Sequence, residues 1–140
     1  MIIQIKTTIF QDSSKEVIES TASGRFYQKE NADFLQYEEE TADGAIRTIV
    51  KLAENEALIL RTGAVKMKMP IKLDKELKGR YELPFGVFEI ATIAKKIQHS
   101  YNNESGKGYI DLRYDFSMQG TPAGTYQLEI TFQEDNNEYR

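Results

Sequence analysis

The chain has 140 residues, 40% hydrophobic and 29% charged, with 18 Lys+Arg against 22 Asp+Glu and a net charge of −4. That length suits one domain, which buries roughly 70% of its unfolded surface, and the acidic balance argues against wholesale electrostatic binding of nucleic acid or anionic membrane. Zero cysteines exclude a disulfide framework, a thiolate nucleophile and a Cys-based metal site, and the single histidine excludes a multi-His centre.

The first ten residues, Met1 to Phe10, alternate, with Ile3, Ile5, Thr7 and Ile9 on one face. They lack the basic n-region and cleavage site of a signal peptide. No apolar run approaches the roughly 20 residues of a membrane helix. Cytoplasmic residence without a membrane partner is therefore expected. Gly24, inside the extended stretch from Lys15 to Glu30, predicts a bulge or bend. Asp43-Gly44 is the strongest hairpin signal, with both residues read as central turn positions at positive φ. It joins an alternating run to the next, in which Ile46, Thr48, Val50 and Leu52 share a face.

Glu54-Asn55 and Thr62-Gly63 mark further turns, and Val65, Met67, Met69 and Ile71 then interleave with Lys66, Lys68 and Lys72. Asp74 to Gly79 and Asn102 to Gly108 read as longer polar loops, and Pro84-Phe85-Gly86 as a bulge or bend. Ile90, Ile93, Ala94, Ile97 and Tyr101 repeat at helical spacing, yet Phe88, Ile90, Thr92 and Ala94 also share a strand face. The strand reading is preferred, because nothing caps a helix start. Two more alternating runs, Ile110 to Met118 and Tyr126 to Phe132, flank the Gly120-Thr121-Pro122-Ala123-Gly124 connection.

Period-two alternation from end to end means half-buried antiparallel strands. Short connections make a meander, and a meander of this size protects its edges by closing. The expected fold is all-β: an antiparallel meander closed into a barrel of roughly 8–10 strands. One domain spans 1–133, followed by a polar tail at 134–140. Whether the interior is packed or hollow is not set by periodicity.

Four runs occur in order: Phe34-Leu35-Gln36-Tyr37-Glu38-Glu39-Glu40, Leu58-Ile59-Leu60-Arg61-Thr62-Gly63, Tyr81-Glu82-Leu83-Pro84-Phe85-Gly86 and Ile110-Asp111-Leu112-Arg113-Tyr114. Together they resemble the YwiB-like family, small bacterial proteins of unknown function with a lipocalin-like (calycin) β-barrel. The resemblance spans nearly the whole chain. It implies the fold, a bacterial origin and cytoplasmic residence, and it brings no catalytic or binding residue with it. Lipocalins usually carry Gly-x-Trp near the first strand; this chain has no Trp, and Gly24-Arg25-Phe26 is a faint echo. The departure counts against extracellular transport of hydrophobic ligands.

Chemistry-bearing constellations are sparse. His99 has no Ser or Asp partner in any sequence signature and reads as a surface or strand-end residue. Glu38, Glu39 and Glu40 cannot converge on one ion, because consecutive strand residues face opposite ways. Asp111 and Asp115 stand roughly 13 Å apart along one strand, too far to flank one bond. No phosphate-cradling Gly-rich motif is present, so no cofactor, no metal and no catalytic residue is expected.

Two candidate surfaces remain. Tyr114, Tyr126, Thr48 and Thr92 place polar groups on otherwise apolar faces, the pattern of a small-molecule pocket. Arg61, Lys66, Lys68 and Lys72 lead a segment of seven basic and two acidic residues between Arg61 and Arg80. That segment could meet an acidic partner or RNA, although with only Tyr81, at its end, stacking is thin and nucleic acid is not expected. The leading reading is a non-catalytic cytoplasmic binding protein for a small molecule. The alternative is an interaction module using the 61–80 face, and exposed strand edges suggest a homodimer.

Overall fold

The computed structural model describes residues 1–134; the expected tail lies, from residue 135 on, outside them. Ten strands follow in chain order: β1 (Ile2–Gln11), β2 (Ser14–Lys29), β3 (Ala32–Thr41), β4 (Gly44–Ala53), β5 (Glu56–Gly63), β6 (Lys66–Lys72), β7 (Glu76–Leu83), β8 (Gly86–Tyr101), β9 (Lys107–Met118) and β10 (Thr121–Gln133). Each pairs antiparallel with the next, and β1 pairs with β10 to close the barrel. The strand reading of residues 90–101 is correct.

Most connections have two residues, and the sequence supplies left-handed conformations where they are needed. Asp12, Glu30 and Asn55 take φ near 60°. Gln119 and Gly120, at φ 53° and 79°, form the β9–β10 turn with both central residues left-handed. The Asp43-Gly44 hairpin is present but shifted. Its central residues are Ala42 and Asp43, and Gly44, at φ 125°, already belongs to β4 opposite Thr41. The Thr41 hydroxyl supports the turn, accepting from the Asp43 N–H at 3.2 Å and donating to the Gly44 carbonyl at 2.6 Å. Pro84-Phe85 is likewise a hairpin turn, and Glu76–Gly79 is strand where a loop was expected.

Two devices bend the sheet. At Gly24, β2 leaves β1 and joins β3: its pairs with β1 run to Ser23 and its pairs with β3 begin there. The bend is sharp enough that a Cβ on Gly24 would stand 2.0 Å from the Gln36 carbonyl oxygen. On β8 the register shifts between Ala94 and Lys96. The extra residue moves the inward face from Ile90, Thr92 and Ala94 to Ile97, His99 and Tyr101. A strand whose phase slips once in this way mimics helical spacing, which explains the ambiguity of this stretch.

The inward faces form one core. Its middle layer is packed with Leu35, Val50, Ile59, Met69, Leu112 and Leu128, each at most 6% exposed. One end is aromatic: Phe26 lies 4.5 Å from Tyr101 and 5.0 Å from Phe132 between ring centroids. These rings occupy the space over Gly108, where a Cβ would come within 2.0 Å of the Phe132 ring. Gly108→Ala is expected to destabilise the barrel by about 2–3 kcal/mol through overpacking. Phe132→Leu should relieve part of that loss, so a double-mutant cycle read by urea denaturation returns a favourable coupling.

Candidate functional site

The other end of the barrel is polar inside. On β3 the inward residues are Asp33, Leu35, Tyr37 and Glu39. Register then places Tyr37 opposite Thr48 on β4, and Thr48 opposite Arg61 on β5. From the far wall, Tyr114 on β9 pairs with Tyr126 on β10, their rings stacked at 5.8 Å and 19°. Tyr37, Thr48 and Tyr114 are buried. Arg61 alternates with the buried Ala57 and Ile59, is itself half-buried with its Nε enclosed, and its charge acts on both Tyr37 and Tyr114.

Burial pushes the Tyr37 phenol up to about 12; Arg61 opposes that rise, Glu39 adds to it, and Thr48 and Arg61 face the hydroxyl and draw it back. Tyr114 is raised as well, by burial, against the same Arg61 charge. Tyr126 is raised by burial and by Glu16. All three phenols therefore remain neutral hydrogen-bond donors near neutral pH.

The arrangement is incompletely satisfied. Thr48 Oγ1 and Arg61 Nε are buried and make no hydrogen bond, although a buried donor left without a partner costs about 1–3 kcal/mol. Among the described residues no carboxylate lies within 4 Å of Arg61. The nearby Glu39 is held by the Ser20 hydroxyl at 3.2 Å. A guanidinium with one enclosed, unpartnered N–H and a buried hydroxyl without a partner, both beside the Tyr37 phenol, can accept an anion or a polar head group.

The structure treats the four interior residues named from sequence differently. Thr48 and Tyr114 come together with Arg61, and Tyr126 stacks on Tyr114. Thr92 is buried too, but its hydroxyl donates to the Pro70 carbonyl at 2.9 Å. It patches the β6–β7 region, where the ladder is limited to Lys66–Lys68 against Arg80–Glu82. The basic face also divides. Lys66, Lys68 and Lys72 point outward, whereas Arg61 turns into the barrel. Lys72 pairs with Glu56 at 3.3 Å and Arg80 with Glu82 at 2.7 Å, both in water-exposed settings worth little.

Tyr37 and Arg61 were missed as interior residues. Their signal was the alternation Leu35–Tyr37–Glu39 and Ala57–Ile59–Arg61, which places both on the core face. Glu38 faces out and pairs with Arg47 at 2.8 Å, whereas Glu39 faces in, so the consecutive glutamates diverge as expected. His99 is at a strand end but faces inward, its Nδ1 3.4 Å from Asp33 Oδ2, and Gln28 Nε2 donates to the other Asp33 oxygen at 3.0 Å. Asp111 points outward yet is buried. Burial alone would raise its pKa, but hydrogen bonds from Lys96, Gln127 and Tyr109 outweigh that and hold it below the usual carboxylate range.

Open clefts lie on the outer wall and rims. One of about 800 Å³ runs past Ile2, Gln4, Tyr109 and Thr131. Another, about 310 Å³, touches Arg61 and Met67 and is lined by Lys66, Lys68, Arg80 and Glu82. It joins the basic outer face to the edge of the polar end. No group of three or more potential metal ligands occurs among the described residues.

These features define a closed, ten-stranded up-and-down barrel with an aromatic end and a partly unsatisfied polar end. Residues 3–130 match the model of a domain of unknown function, DUF1934, and the chain belongs to this family. It is 34% identical over 131 residues to the uncharacterised β-barrel protein YwiB of Bacillus subtilis (strain 168), covering 94% of this chain and 91% of that protein. The crystal structure of the ywiB protein from Bacillus subtilis superposes with a TM-score of 0.84 at 32% identity, over 96% of this chain and 91% of that one.

Alkali tests the burial of the phenols. The native pKa of Tyr37, about 12, lies above the roughly 10 of an exposed tyrosine. Its contribution to stability is therefore complete below about pH 10 and is lost as pH rises through the native value. Unfolding free energy is expected to fall between about pH 10 and 12, and the fall should be shallower in Tyr37→Phe. Equal slopes in denaturant titrations of the two proteins would contradict the assignment.

Proposed function

We propose that this protein is a non-catalytic binding protein that takes a small molecule at the polar end of its barrel. The observation that carries the reading is the pair of buried, unpartnered donors, Thr48 Oγ1 and Arg61 Nε. Folding into this state sacrifices hydrogen bonds that water supplied in the unfolded chain, and a ligand that restores them recovers the loss. The filled middle layer confines the ligand to the mouth, against the partly buried Met67, Tyr81, Phe116, Met118 and Tyr126.

Calycin kinship, bacterial origin and cytoplasmic residence belong to the same reading. They are supported by the up-and-down closure, by the Bacillus relative, and by an apolar interior inside a charged exterior. A membrane barrel has the opposite arrangement. The alternative, an interaction module that binds an acidic protein or RNA through the 61–80 face, draws on Lys66 and Lys68. It is weakened by Arg61 turning inward and by the ion pairs of Lys72 and Arg80. Closure leaves no edge strand for the expected homodimer, which would draw instead on the exposed Phe85 and Val87 beside the β7–β8 turn, and sedimentation would report it.

Native mass spectrometry of gently purified protein is expected to show a stoichiometric adduct that denaturing extraction releases. Tyr114→Phe and Thr48→Val should reduce its occupancy while leaving the circular dichroism spectrum unchanged. An adduct retained fully by both variants would place the ligand elsewhere on the barrel.

A further inference from the structure

We propose that the ligand is an apolar monocarboxylic acid, its carboxylate seated on the Arg61 guanidinium with the Tyr37 and Thr48 hydroxyls donating to the same oxygens. This inference rests on the reading of the polar end as a small-molecule site and adds the ligand's charge and shape.

Charge comes first. Arg61 is a permanent cation, and none of the described carboxylates lies within 4 Å of it. The groups directly around it, Thr48 and the Tyr37 and Tyr114 phenols, are neutral, and the carboxylates beyond them are already engaged, Glu39 by the Ser20 hydroxyl and Glu82 by Arg80. A single anionic charge therefore balances the site, while a dianion leaves one charge desolvated and uncompensated. A cation meets Arg61 itself. Neutral molecules satisfy the hydroxyl but leave the guanidinium without a counter-ion.

Shape follows from the donors. Guanidinium is a planar fork that pairs with a carboxylate through two parallel hydrogen bonds. The Tyr37–Thr48–Arg61 row runs across three adjacent strands in one register, so its donors converge from one side on a small head group. The opposite side is apolar and half-buried, with the Phe116 ring tilted against Tyr126 at 5.2 Å, and Met67 and Met118 supply adaptable walls. A head group on the row leaves its hydrocarbon body against these rings.

Access is a separate observation. The cleft that touches Arg61 is lined by Lys66, Lys68 and Arg80 against one carboxylate, Glu82. Such an excess of positive charge raises the local concentration of anions and speeds their entry. The lysines of β6, read from sequence as a face for a macromolecule, become the approach to an interior cation.

The test is calorimetric titration with four probes that share a chain and differ in head group: octanoate, 1-octanol, octyl phosphate and octyltrimethylammonium. Octanoate is expected to bind the wild-type protein tightest. Its affinity should fall at least tenfold in Arg61→Met and less in Arg61→Lys, while 1-octanol binds all three proteins alike. Lys66→Glu combined with Lys68→Glu should slow octanoate association and reduce its salt dependence. Equal binding of octanoate and 1-octanol, unaffected at Arg61, would overturn the anion inference and leave the apolar site standing. Tighter binding of octyl phosphate would overturn the carboxylate assignment, and preference for the ammonium would move the recognition to Glu16 and Glu39. Binding of none of the four would overturn both this inference and the reading on which it rests.

Discussion

Closure of the sheet is the constraint from which the rest of this structure follows. Ten strands joined in chain order and sealed by the β1–β10 ladder leave each residue one choice, inward or outward, and the choice at one position fixes it along the strand. A slip of one residue would turn the core of a strand to water. The consequence for function is direct. With Leu35, Val50 and Ile59 fixed as a core layer, the next inward positions on β3, β4 and β5 are Tyr37, Thr48 and Arg61. Their meeting is enforced by the register of apolar neighbours rather than by attraction among themselves.

The two ends of the barrel resolve this constraint differently. At the aromatic end Phe26, Tyr101 and Phe132 close the interior over Gly108, and apolar surface leaves water with few polar groups left behind. At the polar end the same closure encloses the Arg61 Nε and the Thr48 hydroxyl without a partner for either. Folding takes its driving force from the first arrangement and tolerates the second. Sites that act on other molecules commonly stand at such a local loss of stability.

Alternation exposed most of the fold because the barrel wears a polar exterior over an apolar interior, and the period of two survives almost everywhere. It faded where the backbone leaves ideal geometry. The extra residue near Lys95 shifted the phase of β8 and gave Ile90, Ala94, Ile97 and Tyr101 a helical look. Asp43 was misplaced within its turn because the Thr41 side chain, rather than a second left-handed residue, supports it. Of the candidate site, Thr48, Tyr114 and Tyr126 were legible, being polar residues in apolar company. Arg61 was hidden by its neighbours. In sequence it begins a run of basic residues, and only the register shared with Ala57 and Ile59 separates it from Lys66 and Lys68. Thr92 matched the same pattern for another reason, since its hydroxyl completes the Pro70 carbonyl. Period assigns a face to a residue; it does not say whether the polar atom there is satisfied.

The central claim is that the polar end is held ready for a ligand and does not support the fold. Equilibrium denaturation of ligand-free Arg61→Met beside the wild-type protein tests it most directly. Replacing a half-buried cation whose enclosed Nε lacks a partner with an apolar side chain of similar length should raise the unfolding free energy by about 1 kcal/mol. A loss of about 2 kcal/mol or greater, of the size expected when a buried supporting interaction is removed, would contradict the account and make Arg61 a structural residue.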